Sequence, residues 1–189
     1  MTEYRINKIF DDSIAVISES KKISTEIQKA VDLIINCYKN EGKIVVFGNG
    51  GSAADAQHLA AELIGRFQLE RQSLPAIALT TDSSVITALG NDYSFDYIFA
   101  RQCETLVKKE DVIIAISTSG KSKNVIDGII VSRKNGARII GLTGINGITM
   151  KKYVDVLLVI PSKSTARIQE GHRVSIHAIC ELVEENFTN

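Results

Sequence analysis

Five short apolar runs, Lys43–Phe47, Ala76–Thr80, Val112–Ile116, Arg138–Thr143 and Val154–Ile160, recur along this chain with helix-length segments between them. All are rich in β-branched residues. Strands that alternate with helices in this way build βαβ units, and these predict a parallel sheet covered on both faces. Tyr97–Val107, Asn124–Lys134 and Thr165–Phe187 read as helices, the last opened by Ser164 or Thr165 as an N-cap. Ahead of the first strand, Ile6, Phe10 and Ile14 and then Ile23, Ile27, Val31 and Ile34 recur at three- and four-residue spacings. That pattern predicts two helices between Tyr4 and Asn40, the second ended by Gly42. With no internal repeat, low-complexity segment or long linker, the 189 residues read as one domain, with residues 1–40 a helical extension.

Charge narrows the partners. Lys plus Arg at 22 against Asp plus Glu at 22 leaves no net charge, so nothing global attracts nucleic acid or an anionic membrane surface. Small molecules and other subunits are the expected partners. The longest apolar runs are strand-sized, and the opening MTEYRINKIFDD lacks the apolar stretch of a signal peptide, so a cytoplasmic location is expected. Cys37, Cys103 and Cys180 are odd in number and form no CxxC pair, which fits reduced, buried thiols.

The chemistry concentrates after the first strand. Gly48-Asn49-Gly50-Gly51-Ser52 supplies backbone freedom and free N–H groups at a helix start, an arrangement that binds oxyanions. In the helix that follows, Asp55, His58 and Glu62 stand at i, i+3 and i+7 and share one stripe. An alanine- and leucine-rich helix has no packing use for that stripe. Gly48-x-Gly50-x-x-Ala53 also fits a degenerate dinucleotide fingerprint, but the second strand ends at Thr80 and the nearest acid, Asp82, comes too late to hold a ribose. Ionisable residues along the helix suit a reactive site better than a pyrophosphate cradle for a nicotinamide cofactor.

A second loop, Ser117-Thr118-Ser119-Gly120-Lys121-Ser122, brings hydroxyls and N–H groups to the carboxyl end of a parallel strand, where open α/β sheets bind ligands. It lacks GxxxxGK[ST], so it suits a phosphate that is held rather than transferred; the alternative is a Ser-rich turn capping a helix. The third group runs from Gln169 to His177 and includes Glu170 and His172. His58 and Glu62, at i and i+4, can bind one divalent ion from a single helix face, and His177 would make a nitrogen–oxygen set that zinc tolerates. Spacing leaves the remaining ligand open. Glu170 shares the face of His177 better than Gln169, which lies about 12 Å from it along a straight helix. If Gln169 is a ligand, either the helix begins near it or the ligands come from different subunits.

Taken together, GNGGSAADAQHLAAE, LPAIALTTDSSVITALGNDYSFD, ISTSGKSKN and ARIQEGHRVSIHAICEL resemble the sugar isomerase (SIS) family, in order and across nearly the whole chain. The resemblance implies a doubly wound five-stranded parallel sheet with helices on both faces, and N-terminal helices packed within a homotetramer whose active sites lie at subunit interfaces. It implies an aldose–ketose isomerase that converts D-sedoheptulose 7-phosphate to D-glycero-D-manno-heptose 7-phosphate, for the heptose of lipopolysaccharide core or a related glycan. It assigns substrate contacts to Asn49, Gly50, Gly51, Ser52, Glu62, Asn91, Asp92 and Gln169, and the phosphate to Ser117, Thr118, Ser119 and Ser122. One zinc ion per subunit falls to His58, Glu62, Gln169 and His177, so the resemblance selects Gln169 where spacing does not. The alternative within the family is a non-catalytic tetrameric scaffold, similar to the replication-initiator-associating protein. That protein lacks the carboxylate and the final histidine of the metal site, and this chain has Glu62 and His177.

Residue chemistry suggests the roles. Moving a carbonyl between adjacent carbons means removing a proton beside it and returning one to the neighbour, through an enediol. Glu62 is the expected base, His177 the opposing acid at substrate oxygen, and Asp55 an assisting group. Arg66, one turn after Glu62, reads either as a helix-end cation or as a phosphate contact.

Overall fold

A computed structural model describes residues 1–188. Five strands, β1 (Ile44–Gly48), β2 (Ala76–Ala78), β3 (Val112–Ile116), β4 (Arg138–Gly144) and β5 (Val156–Ile160), form one parallel sheet in the order β2-β1-β3-β4-β5. Val46 lies opposite Ile114, and Ile114 opposite Ile140. Successive side chains point to opposite faces. Ile44, Val46, Val112, Ile114, Ile116, Ile140 and Leu142 enter one core with α2 (Ser24–Lys39), α3 (Gly51–Ile64) and α7 (Thr165–Glu184). Val45, Phe47, Ile113, Ala115 and Ile139 enter the other with α5 (Ala100–Leu106) and α6 (Lys123–Lys134). The doubly wound sheet with helices on both faces is the expected architecture, and the runs are apolar throughout because both faces are buried.

The differences from expectation are local. A helix, α4 (Ser83–Asp92), follows β2 where none was read; Asp82 caps it by accepting the Val85 N–H at 2.9 Å. A 3₁₀ segment, Ile145–Tyr153, joins β4 to β5, and another, Phe95–Tyr97, precedes α5, which therefore starts at Ala100 rather than Tyr97. The last helix ends at Glu184, short of Phe187, and Ser164 takes its N-cap position without a side-chain bond.

Before the sheet, α1 (Thr2–Glu19) buries no residue at all, and Tyr4, Ile6, Ile9, Phe10 and Ile14 are exposed. Two contacts fasten it to α7: the Ser13 hydroxyl donates to Glu170 Oε2 at 2.7 Å, and Arg167 Nη1 donates to the Ile9 carbonyl at 2.7 Å. Among the described residues, no helix is long and apolar enough to cross a membrane.

Candidate active site

Strand order reverses direction between β1 and β3, and a crevice opens at such a switch point beyond the carboxyl ends of the two strands. The loop after β1 turns at Gly50, whose φ of +56° is left-handed, and passes directly into α3. The loop after β3 turns at Gly120, φ +63°. A reciprocal amide pair joins them: Asn49 Nδ2 donates to Asn124 Oδ1 at 2.8 Å, and Asn124 Nδ2 returns a bond to Asn49 Oδ1 at 2.9 Å. Asn124 is buried at the start of α6.

The serine loop is held from behind. Gly144 N–H donates to the Thr118 carbonyl at 3.1 Å, and Gly147, in the 3₁₀ segment, lies so close that a Cβ there would land on Thr143 Oγ1 and within 2.8 Å of Gly120 N. Ser122 occupies the N-cap of α6, yet its hydroxyl lies 3.1 Å from the Ser117 hydroxyl and caps nothing. At the start of α3 the Ser52 and Ala53 N–H groups donate to the Asn49 and Gly50 carbonyls at 3.0 Å, and at the start of α6 the Val125 N–H donates to Asn124 Oδ1 at 2.9 Å. The two helix starts, joined through the Asn49–Asn124 pair, and the hydroxyls of Ser117 and Ser122 are an arrangement of the kind that suits an oxyanion. Ser119, on the exposed side, accepts the Lys121 N–H at 3.2 Å.

α3 and α7 run side by side in the same direction, with Gly51 against Gln169, His58 against His177, and the turn after Ile64 against Glu184. His58 Nε2 is 2.9 Å from His177 Nε2 and 3.4 Å from Glu62 Oε1. One imidazole therefore donates and the other accepts. Burial and the nearby Arg173 lower the His58 pKa, against the pull of Glu62. Asp55, on the same stripe, is 3% exposed; its Oδ1 is 2.6 Å from Arg173 Nη2, and its Oδ2 has no partner. Burial raises the Asp55 pKa, and Arg173 opposes that. Arg173 was not singled out from the sequence, although it stands four residues before His177 and so shares its face.

His58, Glu62 and His177 offer two nitrogens and an oxygen, a donor set suited to zinc. Two bonds of about 2.05 Å at a tetrahedral angle would place the nitrogens about 3.3 Å apart, so the observed pair would open slightly around an ion. Glu62 reaches His177 only through His58, and among the described residues no three His, Cys, Asp or Glu side chains already enclose a metal site. Gln169 is not with them. It lies well inside α7, which begins at Thr165, and its amide packs where a Gly51 Cβ would be, about 10 Å along α3 from His58. With α7 starting at Thr165, Gln169 and His177 both lie on regular helix, about 12 Å apart along it. Glu170 points elsewhere, to Ser13 and Arg167.

His172 is fully buried with neither ring nitrogen hydrogen-bonded, and burial pulls its pKa down to about 4, against a small opposing effect of the Thr143 backbone. Arg66 lies past the end of α3, exposed, with Glu70 3.6 Å away. Asn91 and Asp92 end α4, also exposed, and Asn91 donates to Asp92 at 2.9 Å. Within one chain neither pair joins the crevice groups by a hydrogen bond.

Residues 9–144 match the SIS domain, and the chain belongs to the SIS-domain family. Its particular relatives are phosphoheptose isomerases. It is 51% identical over 170 residues to the phosphoheptose isomerase of Geotalea daltonii, covering 90% of this chain and 88% of that protein. The fold matches phosphoheptose isomerase from Neisseria gonorrhoeae with a TM-score of 0.92 at 42% identity, across 98% of this chain and 100% of the other. A phosphoheptose isomerase from Francisella tularensis matches with a TM-score of 0.94 at 35% identity, across 98% and 99% of the two chains.

Proposed function

We propose that this chain is an aldose–ketose isomerase that converts D-sedoheptulose 7-phosphate to D-glycero-D-manno-heptose 7-phosphate. The observation that carries this reading is the juxtaposition, in a relative of phosphoheptose isomerases, of an oxyanion crevice at the β1/β3 switch point with the His58, Glu62 and His177 cluster on the adjoining helices. A scaffold would need the fold but not that cluster.

The crevice holds the sugar phosphate through Ser117, Thr118, Ser119 and Ser122, with Asn49, Gly50, Gly51 and Ser52 along the neighbouring turn. Glu62 takes a proton from C1 of the ketose. The C1–H electrons form the C1–C2 double bond, and the carbonyl π pair moves to O2, which accepts a proton from His177. The enediol then loses its O1 proton to His177 as C1 becomes the aldehyde, and Glu62 returns its proton to C2. Asp55, paired with Arg173, keeps a negative charge beside the two imidazoles. His58, Glu62 and His177 would hold a zinc ion, with Gln169 supplied by another subunit, and the ion would act as a Lewis acid toward substrate oxygen. Asn91 and Asp92, exposed on their own chain, would likewise contact substrate across an interface.

The exposed apolar stripe of α1 supports a homotetramer. We assign the protein to the cytoplasm and its product to heptose for lipopolysaccharide core or a related glycan. The decisive experiment is incubation of metal-replete protein with sedoheptulose 7-phosphate, following the anomeric protons of the product by NMR. Absence of turnover would overturn the assignment, and a monomer by light scattering at micromolar concentration would overturn the assembly.

A further inference from the structure

The turn that follows α3 is gripped by a carboxylate with no part in the crevice. Phe67, Gln68 and Leu69 present successive backbone N–H groups to Glu184 of α7, at 2.7, 2.7 and 2.6 Å. Converging N–H groups of this kind form an anion-binding concavity, and here the anion is a side chain of the same molecule. Arg71 closes it, with Nε 3.4 Å from Glu184 Oε2, and each of the two side chains is 1% exposed. The same guanidinium donates from Nη2 to the Glu62 carbonyl at 2.8 Å and from Nη1 to the Leu63 carbonyl at 2.9 Å. Those carbonyls belong to the last turn of α3, which has no helical N–H groups left to satisfy it.

Each end of this ion pair leads to a group of the proposed reaction. Phe67, whose N–H Glu184 holds, packs against His177 with ring centroids 5.4 Å apart. Glu184 stands seven residues after His177, on the same face of α7. Arg71 ties off the backbone of Glu62 itself. A surface turn needs no buried ion pair, and stability alone is a weak reason for one, because desolvating two charges cancels much of their attraction. We infer that Arg71 and Glu184 are positioning residues for proton transfer, holding Phe67 on the His177 ring and fixing the last turn of α3 from which Glu62 projects.

This inference rests on the isomerase reading, and its test separates the two. In Glu184→Gln and in Phe67→Leu, kcat with sedoheptulose 7-phosphate should fall about 10-fold or more while KM stays within about twofold, because the phosphate loops lie elsewhere. The His177 imidazole proton resonance should shift in both variants as the Phe67 ring moves, and the His172 resonance should not. Amide exchange at Phe67, Gln68 and Leu69 should quicken in Glu184→Gln. If that variant fails to fold, Arg71→Met/Glu184→Gln, which removes both buried charges, should fold and still show the low kcat. A wild-type kcat per folded site in Phe67→Leu, or in the double variant, overturns the inference. Should the wild-type protein not isomerise the sugar at all, the isomerase reading fails, and an unmoved His177 resonance in both variants would then overturn the positioning claim separately.

Discussion

The two ends of the crevice are built from different materials. At the end proposed for the phosphate, backbone and uncharged side chains fix each other: the Asn49–Asn124 pair, the Ser117–Ser122 hydroxyls and the close passage of Gly147 behind Gly120 include no titratable group. At the reaction end, His58 lies against both His177 and Glu62, Arg173 pairs with Asp55, and the charge of Arg173 acts on both Asp55 and His58, lowering the pKa of each. A binding site made of amides and hydroxyls works alike across a wide range of pH. A site made of imidazoles and carboxylates reports every change in proton or charge. Catalysis should therefore be sensitive, and phosphate binding indifferent, to changes that look equally conservative on paper.

The largest effect expected is for Glu62→Gln, which keeps the shape and removes the base. It should lower kcat about 10²-fold or more with little change in KM, whereas Ser119→Ala together with Ser122→Ala should raise KM more than it lowers kcat. Steady-state kinetics on both variants tests the division, and a loss of kcat alone in the serine variant would erase it. Exhaustive chelation, with metal loss confirmed by elemental analysis, should abolish turnover and leave phosphate-ligand affinity measurable by calorimetry.

Next in size is a response to acid. His172 is neutral and buried; in the unfolded chain it takes a proton near pH 6.5, in the folded chain only near pH 4. Between those values the unfolded state binds more protons, so stability falls as pH falls, by about 3 kcal/mol over the interval. Urea unfolding across that range should show the slope, and His172→Phe should remove that part of it.

Gly147→Ala should cost about 1–3 kcal/mol, because the new methyl group displaces either Thr143 or the Gly120 backbone. It should also raise KM, and an unchanged KM would mean that the loop does not need its buttress. Smallest is Arg173→Gln. Removing the cation that opposes burial should raise the Asp55 pKa and move the acidic limb of kcat/KM upward. A limb that moves downward would contradict the pairing.

What the sequence disclosed follows the same division. Val112–Ile116 was delimited to the residue because both of its faces are buried and no polar side chain interrupts it. β2 is shorter than its apolar run: it sits at the sheet edge, pairing β1 alone, and stops at Ala78. α4 escaped notice because its ten residues bury none of their side chains, although Asp82-Ser-Ser-Val85 carried an N-cap signal. Helical spacing was enough to align Asp55, His58 and Glu62, since that is a property of one helix. It could not reveal that Asn124 meets Asn49 across 75 residues, or that Glu184 meets Phe67 across 117, because periodicity names a face and not its partner. Glu170 shows the limit plainly: on spacing it shares a face with His177, and in the fold it is occupied with α1.

The common direction of α3 and α7 adds something no side chain provides. Peptide dipoles within a helix sum to about half a positive charge at its start and half a negative charge at its end, and two helices laid in the same sense superpose these fields instead of cancelling them. The glycine turn lies at the start of α3, and Glu62 in its last turn, where a cation is favoured and where Arg71 is found. The crevice thus has an electrical polarity set by chain direction alone. A doubly charged sugar phosphate entering it would be turned phosphate-first toward the glycine turn before any serine touched it.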